Sequence, residues 1–198
     1  MVDGRRKGNA FEVEVAYAVS NWVRPVADGW ESRDMPPPFR RRPADKDSMP
    51  TDWLGGRDLI HRPDVFFPFS VECKKYADWS IDTLFLRPTK IQLGWWNQCV
   101  EQADDIGLAP LLILGRNNAP PCCILRSGHW DMVLSAVNHG REMRTHLGAS
   151  PVAVILFEDL CRLPVAWLER MRETVKKSPH AGGEVRAGEQ ARSRVRGY

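Results

Sequence analysis

The stretch from Asp58 to Lys75, which reads DLIHRPDVFFPFSVECKK, decides the fold. Apolar and polar residues alternate from Phe69 to Lys74, and the stretch as a whole predicts two β-strands joined by a loop that begins at Pro63. With Asp58 opposite Glu72, the strands would pair as an antiparallel hairpin. Side chains two positions apart on a strand share a face, so Glu72 and Lys74 are expected to project together beside Asp58. Two carboxylates and an amine in this arrangement can hold a divalent cation and a water, as metal-assisted phosphodiester hydrolysis requires.

Two aspartates compete for the third position of this predicted site. Asp64 follows Pro63 directly, but its use would place the strand reversal at Phe67-Pro68-Phe69, without the glycine or asparagine that tight turns favour. Asp58 allows the better hairpin and is therefore the preferred acid. Asp64 is the runner-up.

Length, composition and charge limit the number of domains and the classes of function that the chain can have. A chain of 198 residues, 43% of them hydrophobic, can bury one core, so a single compact domain is expected. The net charge of +3 is too small to indicate a nucleic-acid binder by itself. The five cysteines are an odd number, and neither a signal peptide nor a long apolar span is found. These features predict reduced thiols in the cytoplasm and no membrane segment.

A basic segment begins the chain and a helix is expected to follow it. The segment Arg5 to Lys7 is predicted to be a frayed arm. Asn9 can cap a helix from about Ala10 to Trp22, in which apolar residues recur at helical spacing. Glu12 and Glu14 flank the apolar stripe on opposite sides, so periodicity does not choose between them.

Basic residues elsewhere are expected to contact DNA phosphates. The segment from Arg24 to Gly56 shows no hydrophobic period and contains three consecutive prolines and then three consecutive arginines, which is typical of a functional loop. Phosphate contacts position a nucleic acid without reading its sequence. The predicted contacts are Arg5, Arg6, Lys7, Arg40, Arg41, Arg42, Lys75 and Arg116.

The downstream chain predicts a second helix and two buried strands. Apolar side chains recur at helical spacing from Ile91 to Ile106, and the predicted core face carries Ile91, Trp95, Cys99, Ala103 and Ile106. Strands are expected at Leu111 to Leu114 and at Cys122 to Leu125, with a turn between them. The order of helix, two strands, helix and two strands predicts an α/β domain with a mixed sheet flanked by helices.

Residues 127–177 are predicted to extend the same domain. A helix is expected from Trp130 to His139, a strand from Val152 to Phe157, and a last helix from Pro164. The segment Ser178 to Tyr198 contains several arginines and almost no apolar residues, so it is expected to be a disordered basic tail.

These motifs carry a resemblance to a nuclease superfamily. An aspartate, a spacer and Glu72-Cys73-Lys74 resemble the PD-(D/E)XK motif. Arg6-Lys7-Gly8 followed by Glu12 resembles the start of archaeal-type and phage Holliday junction resolvases. The run PFSVECKK with a downstream WWNQ is similar to phage-encoded proteins of that group. The resemblance covers residues 5–126, taken as the nuclease core.

The resemblance implies a restriction-endonuclease-like fold and an activity. It implies a Mg²⁺-dependent (or Mn²⁺-dependent) endodeoxyribonuclease that cuts four-way DNA junctions as a symmetric homodimer, since resolution requires two matched cuts. Asp58, Glu72 and the main-chain carbonyl of Cys73 would bind the metal, and Lys74 would orient the attacking water. The remaining site residues are Glu12, favoured over Glu14 because it stands five residues after Lys7, and Gln98, a possible helper on the second helix.

Two other functions stay open. One is a different nuclease of the same superfamily, such as a restriction-like or repair endonuclease. The other is a DNA-binding protein without catalysis, against which Glu72 and Lys74 argue, because binding alone needs no such pair.

Overall fold

The computed structural model describes residues 4–24, 37–44, 53–56, 58–77, 79–134 and 142–177, with only the backbone given for 4–7, 132–134 and 172–177. The predicted basic tail from Ser178 onward lies outside these residues. None of the helices in the described ranges is long and apolar enough to cross a membrane.

Helices and strands alternate along the described chain. In order they are α1 (Gly4–Val23), β1 (Phe39–Arg41), β2 (Leu54–Gly55), β3 (Leu59–His61), β4 (Phe69–Lys75), α2 (Ile81–Leu86), α3 (Lys90–Asp105), β5 (Ala109–Arg116), β6 (Ala119–Arg126), α4 (Ser127–Leu134), β7 (Met143–Leu147), β8 (Ser150–Leu156), α5 (Phe157–Cys161) and α6 (Ala166–Lys177).

The strands form two sheets. The larger has the order β4-β5-β6-β8-β7, with β4 parallel to β5 and the other neighbours antiparallel. The smaller has the order β1-β3-β2 and is antiparallel. A mixed sheet flanked by helices confirms the predicted fold class. Strands β7 and β8 come from the segment after residue 126 and complete the larger sheet.

The predicted hairpin between residues 58 and 75 is wrong. Strand β3 pairs with β1 and β2, so that His61 lies opposite both Phe39 and Leu54. Strand β4 instead pairs in parallel with β5, and Glu72 lies opposite Leu112. Both hydrogen-bonding edges of β3 are therefore occupied by strands from the segment Arg24 to Gly56, in which no hydrophobic period was found. Strand β5 offers β4 a ladder of seven residue pairs, whereas β3 has only three residues.

The larger sheet is buried on both faces, which is typical of strands covered by helices on each side. Leu111 and Ile113 of β5 belong to a core cluster with residues of α1, α5 and α6. Leu112 and Leu114 point the other way, into a cluster with α2 and α3. The strand thus reads as a continuous apolar run.

The first helix is longer than expected. It begins at Gly4, so Arg5 to Lys7 lie in its first turn and not in a frayed arm, and Asn9 is inside the helix and not at its cap. Its buried face carries Phe11, Val15, Val19 and Trp22. The helix therefore places Glu12 one position beyond a core residue.

Helix α3 begins with a capping box, in which Thr89 Oγ1 accepts a hydrogen bond from Gln92 N and Gln92 Oε1 accepts one from Thr89 N. Its predicted core face is partly wrong. Of the predicted residues, Cys99 and Ala103 are buried and Trp95 is partly buried, whereas Ile91 and Ile106 are exposed. Trp96, which was not predicted, is buried. The two isoleucines lie at the ends of the helix, beyond the sheet surface that covers its middle.

Candidate active site

Strand β4 presents an acid and an amine on one face. It lies at an edge of the larger sheet, and the alternation of the strand puts Glu72 and Lys74 on the same side. Glu72 is only 1% exposed, and Lys74 Nζ donates a hydrogen bond to its Oε1. Burial of a carboxylate is costly unless it is paired and hydrogen-bonded, so the contact with Lys74 offsets part of the cost of burying Glu72.

Asp58 reaches β4 across the gap between the two sheets. It stands immediately before β3, and its Oδ2 accepts a hydrogen bond of 2.7 Å from the backbone N–H of Cys73. Cys73 lies between Glu72 and Lys74, so the Asp58 carboxylate sits beside the acid and amine pair. The predicted neighbours are therefore close together although the hairpin that was expected to unite them does not exist.

Gly56 sets the distance between the small sheet and β4. A Cβ atom at this position would lie 2.5 Å from Ser70 Oγ and 3.0 Å from the backbone N of Val71. Glycine is therefore the residue that lets the chain touch the β4 backbone. Because Asp58 follows two positions later, this close approach fixes how far its carboxylate reaches.

Glu12 approaches the same region from helix α1. The preceding Phe11 packs its ring against Gly115 of β5, where a Cβ atom would lie 2.7 Å from Phe11 Cζ. The Glu12 carboxylate accepts a hydrogen bond from Arg41 Nε. Burial raises the pKa of Glu12 above its ordinary value and the charge of Asp58 raises it further, while Arg41 opposes both effects.

The Cys73 thiol is buried close enough to the site acids for their charges to raise its pKa. Burial raises its pKa well above the ordinary value, and the charges of Asp58, Glu12 and Glu72 each raise it further. The thiol stays protonated and serves as a small core residue.

A cavity of about 580 Å³ opens at this cluster. Its wall includes Glu12, Arg41, Arg42 and Asp58, whereas the predicted site residues Glu72 and Lys74 are not among its lining residues. Helix α3 contributes Gln102 and Asp105 to the lining. The predicted helper Gln98 does not line it. Gln102 is one turn further along α3, and its helical spacing from Gln98 was the signal that could have indicated either glutamine.

Asp64, the alternative acid, lies apart from this cluster. Its side chain is 43% exposed and forms an ion pair with Arg62, whose Nε donates to Asp64 Oδ1 at 2.9 Å. This hydrogen bond from Arg62 lowers the pKa of Asp64. Asp64 lines a different cavity from the one at Glu12 and Asp58.

The predicted phosphate contacts are spread over several surfaces. Arg40 and Arg41 lie on β1, which corrects the expectation of a loop there, and Arg42 Nη1 donates to Gly56 O at 3.3 Å. Lys75 Nζ lies 4.0 Å from Glu14 and 5.3 Å from the centre of the Phe11 ring. Arg116 is exposed and donates to Trp79 O. The side chains of Arg5, Arg6 and Lys7 lie outside the described part of the chain.

The donor chemistry of the cluster suits a hard divalent cation. Mg²⁺ and Mn²⁺ prefer carboxylate and carbonyl oxygens, which Glu12, Asp58, Glu72 and Cys73 supply. In the described ranges no three acidic, histidine or cysteine side chains converge as a metal centre. Each carboxylate is instead held by a donor of the protein, namely Arg41, the Cys73 N–H or Lys74. The residues fit the cation in type, and binding it would exchange these partners.

A comparison with models of protein families identifies the family to which the chain is related. Residues 3–154 match the model of a family described as "Phage putative PDDEXK endonuclease". Neither the curated proteins nor the solved structures gave a match. The matched residues include Glu12, Asp58, Glu72 and Lys74, and they span most of the larger sheet. The predicted membership of the PD-(D/E)XK superfamily is thereby confirmed, and the chain belongs to the family described as "Phage putative PDDEXK endonuclease".

Proposed function

We propose that the protein is a Mg²⁺-dependent or Mn²⁺-dependent DNA endonuclease that cuts four-way junctions. The observation that carries the proposal is the hydrogen bond between Asp58 Oδ2 and Cys73 N, because it brings the upstream acid to the Glu72 and Lys74 pair. Membership of the PDDEXK family supports the nuclease activity.

Asp58, Glu72 and the main-chain carbonyl of Cys73 would bind the cation, with Glu12 on the helix side. A bound divalent cation would polarise the phosphate and lower the pKa of a bound water. The lysine beside this set orients the attacking water and offsets the negative charge that builds on the phosphate. Burial of Glu72 keeps water away from the acid and so strengthens its electrostatic interactions.

Arginines beside the acids would hold the DNA backbone. Arg41 and Arg42 line the same cavity as Glu12 and Asp58, so a phosphate at the acids lies within reach of both guanidinium groups. Arginine is suited to this task because its planar fork matches phosphate oxygens.

The four-way junction is proposed from the resemblance of Arg6-Lys7-Gly8 and Glu12 to the start of junction resolvases. All four residues lie on α1, so a basic first turn and a site carboxylate share one rigid helix. Resolution of a junction requires two symmetric cuts, and the proposal therefore includes a homodimer with two sites.

The test is a cleavage panel. Four-way junctions, forks and linear duplexes of matched sequence are incubated with Mg²⁺, with Mn²⁺ and with EDTA. The expected result is metal-dependent cleavage of the junction well above that of the duplex, by a protein that sediments as a dimer. Equal cleavage of linear duplex would overturn the junction specificity and leave a restriction-like or repair nuclease. Cleavage that persists in EDTA would overturn the metal dependence.

A further inference from the structure

A second cavity of about 690 Å³ adjoins the acid cluster. The two cavities share Arg42, Gly55 and Ile106 as lining residues, so they lie side by side, and the pair is called the groove. One half of this groove contains the acids. The other half is lined mainly by apolar and aromatic side chains, including Trp53, Phe66 and Phe67.

The aromatic half exposes apolar surface to solvent. Trp53 and Phe66 are partly exposed, and Phe67 is buried behind them in the core. Leu54 and Ile106 on the wall are 54% and 48% exposed. Contiguous exposed apolar surface beside a functional site is typical of a binding region. The volume is also in the range of about 300–1,000 Å³ that small-molecule pockets occupy.

The charges around the groove favour an aromatic group that is attached to an anionic chain. Arg42 lies on the walls of both halves, where a backbone passing from one to the other would run. Arg40 lines neither cavity, and its guanidinium covers one face of the Trp53 ring at 4.5 Å from the ring centre. The negative charge of Asp64 is already balanced by its ion pair with Arg62. A nucleotide combines a flat ring with a negative phosphate and therefore matches this distribution.

We propose that the aromatic half of the groove receives an unpaired nucleobase of the DNA strand whose phosphate lies at Glu12 and Asp58. This inference rests on the proposed nuclease function and deepens it. In an intact duplex every base is paired and stacked, so a base enters such a pocket only where it is already unpaired or has left the helix. The groove would then select DNA with unpaired nucleotides next to the cut.

The direct test measures base stacking without cleavage. A flap that carries 2-aminopurine at its unpaired nucleotides is titrated with protein in EDTA, because stacking on an aromatic ring quenches this fluorophore. Quenching is expected with the wild-type protein and should be lost in Phe66→Ala and in Trp53→Ala. Tyr17→Ala is the matched control, since Tyr17 is an exposed aromatic residue of α1 that lines neither cavity. Phe66→Trp retains a ring and should retain the quenching.

Cleavage provides the second readout. The ratio of cleavage of the flap to cleavage of a linear duplex should fall at least about tenfold in Phe66→Ala, as expected when one base loses its stacking partner. The same ratio should be unchanged in Tyr17→Ala and Phe66→Trp. Thermal unfolding of each variant shows whether the fold is kept. Phe66→Leu keeps an apolar side chain but has no ring, so it should also lose the quenching and tests the pocket even if the alanine variants unfold.

The two proposals fail in different ways. Unchanged quenching and an unchanged cleavage ratio in both alanine variants would overturn the nucleobase pocket and leave the nuclease function intact. A wild-type protein that cleaves no DNA with either metal would overturn the nuclease function, and the fluorescence titration would still decide whether the groove takes an unpaired base.

Discussion

The Asp58 carboxylate accepts a 2.7 Å hydrogen bond from the backbone N–H of Cys73, although Asp58 belongs to the small-sheet segment and Cys73 to the large sheet. Strand β4 is at the edge of its sheet, so this N–H would otherwise lack a strand partner. This hydrogen bond thus gives the Cys73 N–H an acceptor and places the Asp58 carboxylate next to residue Glu72. The site therefore depends on the packing of two sheets as much as on the motif itself.

Replacement of Gly56 should increase the distance between the Asp58 carboxylate and the backbone N–H of Cys73. A Cβ atom in Gly56→Ala would meet Ser70 and the β4 backbone, which forces the small sheet away from β4. We expect cleavage to fall about a hundredfold, because a shift of about 1 Å in a catalytic group has effects of that size. Single-turnover cleavage rates measure this loss.

Gly94→Ala is the matched control for that substitution. Gly94 is an exposed glycine inside α3 with open space where a Cβ would lie. The alanine should leave cleavage unchanged and stabilise the helix by about 0.5–1 kcal/mol. Equal cleavage by Gly56→Ala and Gly94→Ala would show that the close contact at Gly56 does not position Asp58.

Lys74→Ala should abolish cleavage and retain DNA binding. The lysine contacts the buried Glu72 and stands next to the residue that binds Asp58. In the proposed mechanism its loss removes the positive charge that offsets the charge on the phosphate. A decrease of about a hundredfold to a thousandfold is expected for the loss of such an electrostatic group. Cleavage rates and fluorescence anisotropy on a junction give the two readouts.

Lys90→Ala controls for the loss of one positive charge. Lys90 is an exposed residue at the start of α3, so this variant should cleave like the wild type. Retention of full activity by Lys74→Ala would remove Lys74 from the mechanism.

Arg41 should control the acidic limb of the pH–rate profile. Burial and Asp58 raise the pKa of Glu12, and the hydrogen bond from Arg41 lowers it. Removal of the guanidinium in Arg41→Ala therefore raises the Glu12 pKa further, and the acidic limb should move to higher pH. Arg41→Lys should shift the limb less because it keeps a charge. An unmoved limb in Arg41→Ala, with Arg162→Ala as an exposed control, would contradict the role of this pair.

Because His129 is buried, the free energy of unfolding should decrease in mild acid. Burial, followed by the nearby charge of Arg126, lowers its pKa from 6.5 to about 4. Between these values the unfolded chain binds a proton that the folded chain does not, so the free energy of unfolding should decrease as the pH falls from about 6.5 to 4. The full effect of this one group is at most about 3 kcal/mol.

Urea unfolding at pH 7 and at pH 4.5 measures the effect of His129. The decrease in the free energy of unfolding should be smaller in His129→Gln than in the wild type. His146→Gln is the control, since His146 is exposed on β7. Part of the decrease should remain in both variants, because burial also lowers the pKa of His61. Identical pH dependence in all three proteins would rule out a neutral buried His129.

The sequence predicted the features that depend on local spacing. A period of two residues was enough to put Glu72 and Lys74 on one face, and the apolar run in β5 was enough to indicate a buried strand. Pairing between strands is not local. Strand β4 pairs with β5, which follows it in the chain after α2 and α3. The sequence from Asp58 to Lys75 did not indicate that β1 and β2 would pair with both edges of β3.

The shortest strands and the exposure of residues at helix ends could not be predicted from the sequence either. Strand β1 has three residues, two of them arginines, so it shows no apolar period. Ile91 and Ile106 follow the helical period of α3 and are nevertheless exposed, because the sheet covers only the middle of the helix. For the same reason the choice between Gln98 and Gln102 needed the position of the helix over the cavity, which only tertiary packing fixes.

The most direct measurement compares Mn²⁺ binding by Asp58→Asn and Asp64→Asn, using calorimetric titration and cleavage of a four-way junction. Asparagine at position 58 keeps an oxygen that can accept the Cys73 N–H, so the fold should survive while one negative ligand is lost. Asp58→Asn should lose Mn²⁺ binding and cleavage, whereas Asp64→Asn should retain both. Loss of binding in Asp64→Asn together with its retention in Asp58→Asn would contradict a metal site built on Asp58, Cys73 and Glu72.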